Sequence, residues 1–239
     1  MTEIENKLKQ LRLKGMLQSW EAMKETRSIH ELSFSDGMEM LLQAEEEQRR
    51  NSRFERLLKS ARFRYQASIE EINFDPSRGL DKALITDLAT CHYVTKGESL
   101  LITGATGCGK SFLASALGHQ ACSHGFSVVY FNTQKFMLRI KMARLEGNIL
   151  KFFDKIAKTS LLILDDFGLT NLERQHQLDL MEIIEDRHGK ASTIISSQIP
   201  VANWYDIISE ATIADAILDR LIHTSFRIEL KGESLRRKR

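Results

Sequence analysis

Ser99-Leu-Leu-Ile-Thr-Gly104-Ala-Thr-Gly-Cys-Gly-Lys-Ser111 is the stretch that decides the fold. Its first residues are an apolar-centred run of the kind that fills a strand buried on both faces of a parallel sheet. From Gly104 onward the pattern G-x-x-x-x-G-K-[ST] is met at every fixed position. Gly104, Gly107 and Gly109 permit a tight turn whose successive N–H groups point inward, and Phe112-Leu-Ala-Ser-Ala-Leu117 reads as a helix adding the positive end of its dipole. Strand, glycine loop and helix in that order separate a phosphate cradle from a chance glycine turn. Gly104, Ala105, Thr106, Gly107, Cys108, Gly109, Lys110 and Ser111 are therefore expected to hold a nucleoside triphosphate. Lys110 would pair with the β- and γ-phosphates, and the Ser111 hydroxyl would ligate Mg²⁺.

A second stretch asks for the same ligand. Leu161-Leu-Ile-Leu-Asp165-Asp166 is an apolar run ending in two acids, delivered at the C-terminal edge where α/β sheets keep their ligands. Asp165 reads as the acid that holds Mg²⁺ with Ser111, and Asp166 as the group that orients and deprotonates an attacking water. The alternative for Asp166 is a turn-capping role ahead of Phe167-Gly168. Asn132, closing a strand over 127–131, is positioned to hydrogen-bond Asp166 and hold it inactive until a partner arrives.

With 239 residues, 42% hydrophobic and 28% charged, the chain has core enough for one α/β nucleotide-binding domain and a small appendage. A net charge of +2 offers no global attraction to nucleic acid, so local patches must supply it. Cys91, Cys108 and Cys122 lack metal-ligand spacing and point to a reduced, cytoplasmic compartment. No run approaches a membrane span, and the charged N-terminus is not signal-like, so no membrane partner is expected.

Residues 1–67 read as a helical domain. Ile4, Leu8 and Leu11, then Leu17 and Trp20, recur at helical spacing with Gly15 as a weak point between them. Asp36 and Glu39 form a candidate capping box for a long second helix running through Arg64. Residues 68–79, with Pro76 and Gly79, break the pattern and read as a linker. From 80 to 239 strands (99–103, 127–131, 161–165, 192–196, 225–230) alternate with helices (110–123, across 133–158, 173–187). That alternation predicts an α/β core with a five-stranded, mainly parallel sheet covered on both faces. Too little chain follows the last strand for a C-terminal helical lid.

Two cationic stretches stand out. Arg49, Arg53, Arg56 and Arg64 fall within a sector of roughly 80° on the second helix, opposite Phe54, Leu57, Leu58, Ala61 and Tyr65. Phe63 projects among the arginines like a stacking residue. This face suits a phosphate backbone, with a salt-bridged solvent face (Glu45, Glu46, Glu47, Glu55) as the alternative. No base-reading signature accompanies it, so duplex DNA would be bound without sequence preference and in a salt-sensitive way. Lys135 and Arg139 begin a second, more scattered group after the second strand, read either as a further DNA contact or as a solvated surface.

Strand 192–196 leads into Ser197 and Gln198; if it neighbours the strand of acids, one of them can sense the γ-phosphate, and otherwise they form a turn before Pro200. Arg220, in Ala214-Asp-Ala-Ile-Leu-Asp-Arg220-Leu, is either a finger reaching a neighbouring subunit's nucleotide or a partner of Asp219 or a helix end.

These residues carry a family resemblance. Leu11-Arg-Leu-Lys-Gly-Met16, the P-loop, 161–169, Ser197-Gln-Ile-Pro200, the Arg220 segment and Gly232-Glu-Ser-Leu-Arg236 together resemble the IstB-type transposition helper ATPases, an AAA+ branch close to the DnaC helicase loaders. The resemblance implies ATP and Mg²⁺ as cofactors, a homo-oligomer on duplex DNA, and a cognate transposase as partner. It also implies that Arg220 acts in trans, Ser197 or Gln198 is the sensor, and the N-terminal helices serve oligomerisation and DNA engagement. Asp166 departs from the Glu usual in AAA+ proteins, and the shorter acid would hold water less directly, which predicts slow basal hydrolysis awaiting DNA or a partner; no lid is expected to supply a second sensor arginine. A DnaC-like helicase loader, a P-loop small-molecule kinase and a nucleotide-gated scaffold without turnover are the competing readings.

Overall fold

The computed structural model describes residues 2–26, 28, 31–223 and 225–235; Arg236 lies outside them. The chain divides into two compact units, Met1–Arg56 and Leu57–Arg239.

In the first unit, α1 (Glu3–Gln10) opens with a capping box in which Thr2 and Glu5 satisfy each other's backbone N–H groups. Arg12, at φ 60°, turns the chain into α2 (Lys14–Glu25). Gly15 is thus inside a helix and not a break between two. An added Cβ would stand 2.2 Å from the Ala44 carbonyl oxygen of α3 (Phe34–Ala61), so only glycine allows this approach. Buried Glu45 on α3 accepts from the Gly15 (2.8 Å) and Met16 (3.3 Å) N–H groups, capping α2, and pairs with Arg49 at 2.8 Å. Burial opposes its charge, but Arg49 and the two N–H groups outweigh that and hold the carboxyl below the usual range. The α3 cap is Ser33 with Asp36, not Asp36 with Glu39: Ser33 Oγ accepts from Asp36 N at 3.2 Å and donates to its carboxylate at 2.7 Å. Arg62, at φ 57°, ends the helix at Ala61, so it does not run through Arg64.

The second unit contains α4 (Lys82–Ala89), α5 (His92–Lys96), β1 (Ser99–Gly104), α6 (Lys110–Ser123), β2 (Val128–Asn132), α7 (Thr133–Leu145), α8 (Ile149–Ala157), β3 (Leu161–Phe167), α9 (Arg174–Arg187), β4 (Ser192–Ser197), α10 (Trp204–Ile208), α11 (Ala211–Ile222) and β5 (Ser225–Leu230). The helices expected across 133–158 are α7 and α8, separated at Gly147 (φ 68°) and Asn148. All five strands are parallel, in the order β2-β3-β4-β1-β5. Leu161, Leu162, Ile163 and Leu164 are fully buried, as a central parallel strand requires. Leu162 and Leu164 join a core with Phe136, Ile140, Ile183 and Trp204, while Ile163 faces α6 at Gly118. Among the described residues no helix follows β5; 231–235 run beside the P-loop, where the Leu235 N–H donates to the Gly107 carbonyl at 3.0 Å.

Candidate functional site

The strand order puts β4 between β1 and β3, so the P-loop, Ser197-Gln198 and the two acids converge at one C-terminal edge. A cavity of about 710 Å³ opens there, lined by the P-loop, Asp166, Gln198, and a wall that includes Arg64, Tyr65, Ile72 and Arg78. The segment read as a linker thus contributes to the cavity. Its nearly buried Arg78 donates to the Cys108 carbonyl oxygen, bracing the loop from behind.

The loop fits phosphates. Gly109 takes φ 101° and leads directly into α6, so unpaired N–H groups and the dipole's positive end face the cavity. Lys110 is buried, and the oxygens accepting from its Nζ are neutral carbonyls, Gly104 O at 2.7 Å and Ala105 O at 2.8 Å. A buried ammonium that meets no carboxylate among the described residues is the partner a polyphosphate needs. Ser111 Oγ donates to Asp165 Oδ1 at 3.0 Å, which joins two hard oxygen ligands suited to Mg²⁺. Among the described residues no cluster of three His, Cys, Asp or Glu side chains could hold a metal, so an ion held by Ser111 and Asp165 would need oxygens from phosphate or water for the rest of its shell.

Asp165 is fully buried and well satisfied. Besides Ser111, Ser196 and Tyr130 donate their hydroxyls to its carboxylate, and Thr133 Oγ1 donates to its carbonyl at 2.9 Å. Burial and the Asp165 charge both push the Tyr130 phenol upward, so it stays a protonated donor. Tyr130 and Ser196 are site residues that the sequence reading missed: each is one unremarkable position in its strand.

Between Leu164 and Phe167 the β3–β4 register slips, and Asp166 sits at φ 57°. Successive strand residues normally point to opposite faces. The slip turns Asp166 back to the side of Asp165, re-aiming a side chain as bulges do. Asp tolerates the left-handed conformation far better than Glu, a backbone reason for the shorter acid. Asn132 Nδ2 donates to Asp166 Oδ2 at 3.0 Å.

Arg64 is the main correction. It lies past the end of α3, outside the cationic stripe, with Nη1 at 3.1 Å from Asp166 Oδ2 and 3.4 Å from Asp165 Oδ2. Burial alone would lower its affinity for a proton, but nearby Tyr65, Asp166, Tyr130 and Asp165 leave the guanidinium more firmly charged than usual. Phe63 does not project among arginines either. Its ring packs on Gly118 of α6, 4.7 Å from His119 and 6.3 Å from Tyr130 between centroids.

Ser197 is fully buried and donates to the Phe167 carbonyl at 2.7 Å, a strand-end bond that turns it from the cavity. Gln198 lines the cavity, and its Oε1 accepts from Thr106 Oγ1 of the P-loop at 2.5 Å. Arg220 does not line this cavity. It donates to the Ala216 carbonyl at 2.8 Å, pairs with Glu185, and borders a surface hollow with Asp215 and His223. Arg49, Arg53 and Arg56 are exposed on α3, and Lys135 and Arg139 are exposed on α7. No helix among the described residues is long and apolar enough to cross a membrane.

The sequence profile described as IstB-like ATP binding protein matches residues 6–239. The insertion sequence ATP-binding protein y4pL of Sinorhizobium fredii (strain NBRC 101917 / NGR234) is 40% identical over 232 residues, 97% of this chain and 95% of that protein. The insertion sequence IS21 ATP-binding protein of Pseudomonas aeruginosa is 29% identical over 238 residues, 100% of this chain and 90% of that protein. Of solved structures, the DnaC helicase loader superposes with a TM-score of 0.54 at 22% identity, over 66% of this chain and 96% of that one. The replication initiator DnaA bound to AMPPCP and single-stranded DNA superposes with 0.61 at 18% identity, over 72% and 52%. At such identities the likeness speaks to the fold, which is a P-loop AAA+ core.

Proposed function

We propose a function from one premise: the chain belongs to the family of IstB-like ATP binding proteins. It is an ATP-dependent regulator that oligomerises on duplex DNA and directs an insertion-sequence transposase to its target. The observation that carries the assembly step is Arg220, an arginine on α11 that lies outside its own chain's nucleotide cavity and is only partly buried. The cavity's own arginines are committed elsewhere, Arg64 to the two acids and Arg78 to the Cys108 carbonyl, so the finger on the γ-phosphate is left to a neighbour.

Gly104–Ser111 cradles ATP, with Lys110 on the β- and γ-phosphates and Ser111 and Asp165 as the protein ligands of Mg²⁺. Bound Mg²⁺ supplies neutralisation of phosphate charge. Asp166 orients water and takes its proton; Asn132 and Arg64 both donate to Asp166 Oδ2, which supports slow basal turnover. Gln198, which shares the cavity, reads the γ-phosphate, and Ser197 supports the turn. The exposed arginines of α3, with Lys135 and Arg139, supply sequence-tolerant DNA contact.

Sizing the protein with ATP, duplex DNA, both or neither tests the reading. Nucleotide-dependent assembly on DNA of arbitrary sequence is expected, and Arg220→Ala should lose DNA-stimulated hydrolysis while still binding ATP. A monomer that transfers phosphate to a metabolite would overturn it, and assembly only with a replicative helicase would favour the loader alternative.

A further inference from the structure

We propose that Arg64 competes in cis with the metal: its guanidinium and Mg²⁺ call on the charge of the same carboxylate pair, Asp165 and Asp166, so capture of metal and nucleotide must release Arg64. This rests on reading the cavity as an ATP–Mg²⁺ site.

The oxygens are few and already shared. Asp165 Oδ1 accepts from Ser111 and Ser196, and Oδ2 from Tyr130 and Arg64; Asp166 Oδ2 accepts from Asn132 and Arg64. Two adjacent carboxylates repel each other unless a cation lies between them. The guanidinium of Arg64 bridges both here, whereas a divalent ion held by Ser111 and Asp165 would neutralise the same pair, and two cations beside one carboxylate repel each other. Their occupancies are therefore negatively linked, and the linkage is reciprocal.

Arg64 is also built to move at its tip and not at its root. Phe63 on one side is wedged against Gly118, His119 and Tyr130, and Tyr65 on the other lies 6.5 Å from the Phe112 ring. The Arg64 side chain between these anchors keeps 41% of its surface exposed. Its guanidinium carbon already stands 5.5 Å from the Tyr65 ring centre, a cation–π contact that can hold the group once the acids are taken. Lys110 and Gln198 line the same cavity, so the displaced charge stays near the triphosphate.

The test is binding of a fluorescent ATP analogue to the full-length protein, titrated with Mg²⁺, for wild type, Arg64→Ala and Arg64→Lys. Removing the competitor should lower the Mg²⁺ midpoint about fivefold in R64A, at the low end of measured couplings. R64K, which keeps the charge but loses the fork, should shift less. A merely structural arginine would lower thermal stability and leave the midpoint where it is. If R64A does not fold, R64K carries the comparison. Equal midpoints in all folded proteins would overturn the proposal, whereas a wild type that binds no nucleotide at any Mg²⁺ concentration would sink the site reading beneath it.

Discussion

Gly118→Ala sets helix propensity against packing, and the structure decides which wins. Gly118 lies in the middle of α6, where alanine is favoured by about 1 kcal/mol. The added Cβ, however, would stand 2.4 and 2.9 Å from two carbons of the Phe63 ring and 2.8 Å from Ile163 Cδ1. Ile163 is fully buried in β3, and His119 and Tyr130 flank the ring, so neither neighbour retreats freely. Overpacking of this kind costs about 1–3 kcal/mol, and three contacts under 3 Å put it at the upper end. The net effect is a loss of about 2 kcal/mol, which for a chain of this size lowers Tm by about 4–8 °C. Thermal unfolding followed by circular dichroism reads this directly. In the double variant F63L/G118A the smaller side chain makes room, so the two changes should couple by about 1 kcal/mol or more instead of adding. A raised Tm in G118A, or strict additivity with F63L, would refute the reasoning and with it the view that Phe63 anchors Arg64.

Asp166→Asn keeps a residue that tolerates the left-handed backbone but removes the base, so phosphate release should fall by about 10²–10⁴ while nucleotide binding persists; retained hydrolysis would remove Asp166 from the chemistry. Arg187, almost fully buried, donates to Thr193 Oγ1 and to the carbonyls of Ile156, Thr159 and Ser192, and burial pushes its guanidinium down to about 10. Arg187→Leu strands those carbonyls and should cost about 3 kcal/mol in denaturant unfolding; an unchanged midpoint would contradict this. Glu5 is held at about 2, against an ordinary 4.5, by the Lys24 ammonium and the Thr2 N–H. A carboxylate depressed in the folded state stabilises above the unfolded value, so the α1–α2 contact should weaken as pH falls from 4.5 to about 2. The carboxyl carbon shift of Glu5 by NMR checks it, and a midpoint at 4.5 would count against the pairing. Replacing Arg49, Arg53 and Arg56 together by alanine should flatten the salt dependence of DNA binding by about 0.9 per lost phosphate contact. An unchanged slope would place the DNA elsewhere.

Features set by neighbours in the chain were legible before the fold was known. The five strands appear within two residues of their expected spans because buried apolar runs and flanking breakers are local signals. Asn132 was also readable as a partner of Asp166, since both close a strand of the same sheet. Local signals failed where one residue's backbone overrode the periodicity. Arg62 turned left-handed and took Arg64 off the helical wheel on which it had been grouped with Arg49, Arg53 and Arg56. Gly15, which read as a weak point between helical runs, and Gly118 both allow close approach to another element.

By itself the sequence determined the phosphate loop, its strand and helix, and the paired acids, because each depends on residues adjacent in the chain. Only the tertiary structure decided that β4 separates β1 from β3, bringing Ser111 within 3.0 Å of Asp165 across 54 positions. It alone put Arg64 on both acids from more than 100 positions away. The physical reason is that strand order and side-chain aim are settled by which apolar faces pack and how strands twist and slip, and no local pattern records either. The phosphate loop is written in the chain; the cation that contests its metal site comes from the packing.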